Sequence, residues 1–216
     1  MKRKLLIPCT LLAAFILWTL LICTVDLQPL GPMDSSVGLA TLNHWFHTFT
    51  GIHLRLYHIT DWLSIIPLAI ILFFTIVGLL QWLRRKKILL VDFDILALGG
   101  FYAAVMAVFV FFEICVVNYR PILIDGVLEA SYPSSTTMLL MCVMPTAMMQ
   151  VHWKVRKVGI RYTLSFLMGS FTVFMVVARM ISGVHWLTDI IAGTFLSAGL
   201  VTLYQAVCSF NRNTAL

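Results

Sequence analysis

Long apolar runs carrying at most one or two charges recur along this chain, at positions 5–23, 61–83, 95–117, 135–153, 160–177 and 186–207. Each is about the length a helix needs to cross the hydrocarbon core of a bilayer. Inside lipid every backbone N–H and C=O must be satisfied within the segment or a closed barrel, and runs of this length satisfy theirs as helices. The composition agrees: with 61% apolar and 11% charged residues in 216, a soluble domain is excluded. The expected fold is an all-α integral membrane protein, residues 1–216 forming one domain with six transmembrane helices in one bundle. Lys2, Arg3 and Lys4 ahead of the first run resemble the start of a signal peptide, but no small-x-small cleavage pattern follows, so the run reads as a retained helix.

The net charge of +6 is confined to a few places. Lys2–Lys4, Arg84–Lys87 and the group Lys154, Arg156, Lys157 and Arg161 all flank apolar runs. That is the positive-inside pattern of cytoplasmic ends, not the broad basic face that binds nucleic acid. Six spans with both termini cytoplasmic put all three clusters on one side. The loops at 24–60, 118–134 and 178–185 then share the extracytoplasmic side, where Arg55, Arg120 and Arg179 are the exceptions to the charge bias. The clusters also suit anionic head groups of the surrounding lipid bilayer.

The 24–60 loop opens with Pro29, Gly31 and Pro32 and continues into a stretch mixing apolar residues with aromatics and histidines. It reads as one or two helices lying in the interface, with Trp45, Phe46, Phe49 and Tyr57 at head-group depth. The spacing of His44, His47, His53 and His58 does not match a helix-borne metal-ligand set, and no metal is assigned. The five cysteines are scattered through apolar runs without a Cys-x-x-Cys pair, and read as small buried hydrophobes.

Three polar stretches on the expected extracytoplasmic side carry the chemistry. In Ala178–Asp189, His185 and Asp189 stand four residues apart, so a helix from Trp186 onward would let the carboxylate orient the imidazole. Arg179 precedes them across a Ser-Gly turn, and its planar fork suits phosphate oxygens. Such a set fits covalent phosphoryl transfer through a phosphohistidine, and equally an Arg–Asp ion pair beside a satisfied histidine. The second stretch, Pro133 followed by Ser134, Ser135, Thr136 and Thr137, is a helix start that the hydroxyls can cap and an anion can approach. The third holds Arg120-Pro121, with Glu113 seven residues earlier, placed to pair with Arg120 if the helix persists.

Taken in order, Arg120-Pro121, Tyr132-Pro133-Ser134-Ser135, and Arg179, His185 and Asp189 resemble the type 2 phosphatidic acid phosphatase superfamily. The resemblance implies a membrane lipid phosphate or diphosphate phosphatase with no cofactor. In it His185 attacks phosphorus, Asp189 holds His185, and Arg120, Arg179 and Ser134 bind the phosphate; the helix-start amides of Ser135 and Thr136 are read as phosphate-binding with them. Two positions depart from the family pattern. Glu113 stands where the first motif has lysine, and Thr136 where the second has the histidine that serves as general acid, a contribution typically of about 10²- to 10⁴-fold. The departures leave open a phosphatase with a weakly basic leaving group or another acid, a head-group or phosphoryl transferase, or a pseudoenzyme that binds lipid phosphate. A transporter is the rival from another class; against it, no internal repeat is evident and the polar residues gather at one face.

Overall fold

The computed structural model describes residues 2–214; Met1, at the basic start, and Ala215 and Leu216, in the expected polar tail, lie outside the described residues. The described chain is all-helical: α1 (Lys2–Thr24), α2 (Ala40–Thr50), α3 (Leu54–Leu63), α4 (Ile65–Arg85), α5 (Phe93–Ile114), α6 (Ser135–Lys154), α7 (Val158–Ile181) and α8 (Leu187–Thr214). The fold class is as expected. Five segments are long and apolar enough to cross a membrane, namely α1, α3 with α4, α5, α7 and α8.

The sixth expected span, α6, falls short of that hydropathy, and its place in the bundle gives the reason. It packs against α4, α5, α7 and α8, and nine of its residues are buried, Thr137, Thr146 and Gln150 among them. A helix shielded from lipid can carry polar residues that a peripheral one cannot. By contrast, Leu72, Phe73 and Leu79 on α4 and Phe166 on α7 are exposed apolar side chains, a surface that suits lipid. Helix α8 runs through the middle, packed on α1, α6 and α5, and holds the main core with Phe15, Ile22, Leu98, Met138 and Tyr204. Met138 and Met144 are packing residues, as their pattern suggests. Of the cysteines, Cys142 and Cys208 are buried, whereas Cys9, Cys23 and Cys115 sit exposed on the bundle; all five are free.

Several boundaries differ from expectation. The second span begins within α3, not at Asp61, and breaks at Ser64. Pro67 explains the break, because it has no N–H to bond the carbonyl of Leu63. Helix α5 stops at Ile114, and α8 extends through most of the expected polar tail. Arg179, expected in a loop, lies in the last turn of α7.

Each end of the bundle gathers polar groups. At the basic end, Asp92 receives hydrogen bonds from Gln81 (3.0 Å), Arg85 (3.0 Å) and Lys154 (3.1 Å), and Lys154 also meets Asp94 at 3.0 Å. This knot ties the C-termini of α4 and α6 to the start of α5. The opposite end collects the loops in which the chemistry-bearing residues stand.

Candidate active site

The 115–134 loop is a folded excursion. Ile124 and Val127 exchange backbone hydrogen bonds of 3.1 and 2.9 Å around Asp125 and Gly126, whose φ angles are 50° and 78°. Positive φ at both central residues is the geometry of the tightest hairpin turns, which Asp-Gly favours. The two arms are joined by Arg120 N–H to Glu129 O (3.0 Å) and Ser131 N–H to Asn118 O (2.9 Å). Asn118, Arg120 and Ser131 are thereby fixed side by side, all buried. Trp186 pins the hairpin to the start of α8, its indole N–H donating to Tyr119 O at 2.8 Å.

The 24–60 segment supplies the other wall, and only part of it behaves as an interfacial covering. Trp45 and Phe49 are exposed as expected. Asn43, however, is buried and donates to Thr188 Oγ1 at 3.0 Å, and His47 Nε2 lies 3.1 Å from Gly183 O. Gly183 has φ 71°, and a Cβ there would stand 2.2 Å from the carbonyl oxygen of Gly51. The α7–α8 turn is thus seated backbone against backbone on the α2–α3 turn, which only glycine permits. Helix α3 holds Arg179. The guanidinium donates to Thr60 Oγ1 (3.0 Å) and Tyr57 O (3.4 Å), lies 3.8 Å from Asp61, and sits 4.7 Å from the centre of the Tyr57 ring. The Arg120 guanidinium lies 5.8 Å from the same ring, so one aromatic stands against two cations.

His185 immediately precedes α8. The direct contact expected between His185 and Asp189 is not formed: Nδ1 and Oδ2 are 4.0 Å apart, beyond hydrogen-bond range. The hydroxyl of Ser131 stands between them, 3.0 Å from His185 Nδ1 and hydrogen-bonded to Asp189 Oδ2. Asp189 also accepts from Asn118 Nδ2 (3.2 Å) and the Trp186 amide (3.0 Å). Its backbone carbonyl accepts the Ser134 amide at 3.1 Å. That approach of α8 to α6 is close; a Cβ on Gly193 would come within 3.3 Å of Ser134 O. Ser131, Asn118 and Tyr57 were missed by sequence reasoning, although Asp125-Gly126 is a turn signal from which the 118–131 pairing is legible.

Two other expectations are corrected. Arg120 does not pair with Glu113, because α5 ends at Ile114 and the chain turns away; its partner is Glu129, at 2.9 Å. Ser134 occupies the N-cap position of α6 but caps nothing; its oxygen accepts the Thr137 hydroxyl at 3.1 Å. The first turn of α6 therefore keeps its amides free of a side-chain cap. Ser135 and Thr136, in that turn, are half-buried. A cleft of about 720 Å³ opens beside them, lined by Glu113, Arg120, Glu129, Ser135 and Phe109; the buried His185 is not part of its wall.

The electrostatics of the cluster favour an anion. Burial, and after it the charges of Arg120 and Arg179, hold the His185 imidazole well below its usual 6.5, so it is neutral at physiological pH. His185 Nε2, Arg179 Nε and Arg120 Nη1 are buried and find no hydrogen-bond partner among the described residues. Buried nitrogens without partners are rare and costly in proteins. Two cations and an imidazole nitrogen left so at one end of a bundle have the chemistry to meet the oxygens of an oxyanion.

Comparison with known proteins agrees with this geometry. Residues 115–213 match the model of the PAP2 superfamily, which bears out the resemblance read from the motifs. The fold is similar to the crystal structure of a transmembrane PAP2-type phosphatidylglycerolphosphate phosphatase from Bacillus subtilis, with a TM-score of 0.67 over 96% of each chain and 17% identity. Among curated proteins no match is found.

Proposed function

With residues 115–213 matching the PAP2 superfamily, we propose that this protein is a membrane phosphatase for lipid phosphates or diphosphates, acting through a phosphohistidine at His185. The observation that carries the reading is the set of unpaired buried nitrogens on His185, Arg120 and Arg179. Phosphate oxygens are the partners those nitrogens lack. With the imidazole neutral, the Nε2 lone pair is available to attack phosphorus while the two guanidinium groups take up charge developing on the phosphoryl oxygens. Uncapped amides at Ser135 and Thr136 add donors at a helix N-terminus. The positive-inside pattern supports an extracytoplasmic position for this end of the bundle, with both termini in the cytoplasm.

Thr136 narrows the substrate. A hydroxyl is a poor proton donor near neutrality, so an alkoxide leaving group would go unassisted. A diphosphate expels a phosphate monoester, a weak base that needs little protonation. The preferred substrate is accordingly a lipid diphosphate, such as a polyprenyl diphosphate, ahead of a monoester such as phosphatidic acid.

Phosphate release by the detergent-purified protein tests this, using phosphatidic acid, phosphatidylglycerol phosphate and undecaprenyl diphosphate as substrates. The expected result is fastest release from the diphosphate and none above background from the His185→Ala variant. Turnover near wild type in that variant would sink the mechanism. No release from any substrate by a folded protein that still binds these lipids would move the assignment to a transferase or a lipid-phosphate-binding pseudoenzyme.

A further inference from the structure

We propose that Ser131 is the positioning residue of this site: its hydroxyl relays between Asp189 and His185 and fixes the imidazole tautomer that leaves Nε2 free. The inference rests on the phosphohistidine reading for its catalytic meaning, but not for its geometry. A hydroxyl has one proton to give, and an ionised carboxylate can only accept. With Asp189 ionised, the Ser131 proton goes to Oδ2, which also accepts the Trp186 amide, while Asn118 occupies Oδ1. What Ser131 then presents to His185 Nδ1, 3.0 Å away, is a lone pair. Nδ1 carries the proton to meet it, and Nε2 is left with its own lone pair and no partner.

The serine is held firmly enough to do this. Its amide donates to Asn118 O in the hairpin. The next residue, Tyr132, is buried with its hydroxyl 2.6 Å from that of Thr19 on α1. The side chain can therefore add to orientation without a fresh ordering cost at each turnover. In the first step the Nε2–P bond forms and the P–O bond to the leaving group breaks, the electron pair departing with that oxygen. The ring becomes cationic, and the chain from Nδ1–H through Ser131 to Asp189 carries the compensating charge. In the second step water oxygen bonds to phosphorus, the N–P pair returns to Nε2, and both water protons leave with the released phosphate. Without Ser131, the 4.0 Å gap from Nδ1 to Asp189 leaves no hydrogen bond to hold the ring.

Two readouts on purified protein in detergent test the relay. In steady-state phosphate release from the substrate that wild type hydrolyses fastest, Ser131→Ala is expected to lose roughly 10- to 100-fold in kcat with KM little changed. Ser131→Thr, which keeps the hydroxyl, should regain most of it. In ¹⁵N-histidine NMR, with the His185 signals identified by their loss in His185→Ala, wild type should show a protonated Nδ1 and an unprotonated Nε2. Ser131→Ala should lose that single tautomer. Full kcat in Ser131→Ala alongside a dead His185→Ala would overturn the relay, and so would a wild-type spectrum with the proton on Nε2. If His185→Ala remains active, the phosphohistidine reading fails on its own and the wild-type spectrum still decides the relay. Should Ser131→Ala not fold, Ser131→Thr and the wild-type spectrum carry the test.

Discussion

The two ends of this bundle solve the same problem differently. Both bring charged side chains to the rim of a membrane-spanning fold, where unpaired charge is expensive. At the basic end, Arg85 and Lys154 are matched by Asp92 and Asp94, and the groups are more than a third exposed, apart from the more sheltered Asp94. At the other end, two arginines and a histidine are buried with nitrogens unspent, and acid partners only graze them: Asp61 at 3.8 Å from Arg179, and Glu129 at 2.9 Å from Arg120 Nε without hydrogen-bond alignment. The paired end fastens helices. The other end leaves donors without protein partners beside the hairpin and the α2–α3 segment. The contrast is one of degree, since Arg161 at the basic end also keeps a buried Nε without a hydrogen-bond partner.

Substitutions at the two ends should therefore fail in opposite ways. Among substitutions of the charged groups at the two ends, the largest effect is expected from Arg179→Lys, which keeps the charge but loses the planar fork. Phosphate release should fall by about 10²- to 10³-fold in kcat/KM, as for loss of one transition-state donor, with little change in melting temperature. A melting temperature that collapses with the activity would make Arg179 a fastener and erase the contrast.

Next in size is the response to pH, followed by thermal unfolding in detergent. In the folded protein His185 resists protonation because of burial and of Arg120 and Arg179. Below its ordinary value of 6.5 the unfolded chain takes up a proton that the folded chain refuses, so stability should fall as the pH drops through this window. His185→Ala should flatten that slope. The basic end answers later. Burial opposes ionisation of Asp92, but hydrogen bonds from Lys154, Gln81 and Arg85 outweigh it and hold the carboxyl below 3.8. Its contribution persists down to about that pH and is lost below it, as the folded-state carboxyl takes its proton. A His185→Ala variant with an unchanged slope between pH 6.5 and 5 would count against the neutral, buried imidazole.

The smallest effect is expected from Lys154→Met. Its removal leaves Asp92 with Arg85 and Gln81, and the pairs are partly solvated, so the loss should be about 0.5–1 kcal/mol of stability. Phosphate release should not change. A kinetic defect there would show that the two ends are coupled through α6.

What was legible in the sequence follows the same division. Apolar runs mark the helices long enough to span, because that signal is local and lipid leaves few alternatives. His185, Asp189 and Arg179 were legible as candidates from spacing within one short stretch, and Arg120 from the resemblance of its motif. The partners that come from elsewhere in the chain were not. Asn118 and Ser131 reach Asp189 only once the Asp125-Gly126 turn folds the loop back. Tyr57 and Thr60 reach Arg179 only because Gly183 lets two turns meet at their backbones. The expected Glu113–Arg120 pair failed for the converse reason: helical spacing was extended past Ile114, where the helix ends. Ser134 illustrates a subtler limit, since its type suits a cap and its position is the cap, yet Thr137 uses its oxygen first.

The seating of Gly183 on Gly51 also bears on how the protein can be divided. The segment that matches the superfamily, 115–213, contains His185, Asp189, Arg120 and Arg179. Tyr57, Thr60, Asn43 and His47, which grip Arg179 and the turn before α8, lie outside it. That segment is thus a motif carrier without its own clamp. A chimera that transplants it into another helical membrane scaffold would need residues 43–60 transplanted with it, or the arginine would arrive without the wall that aims it.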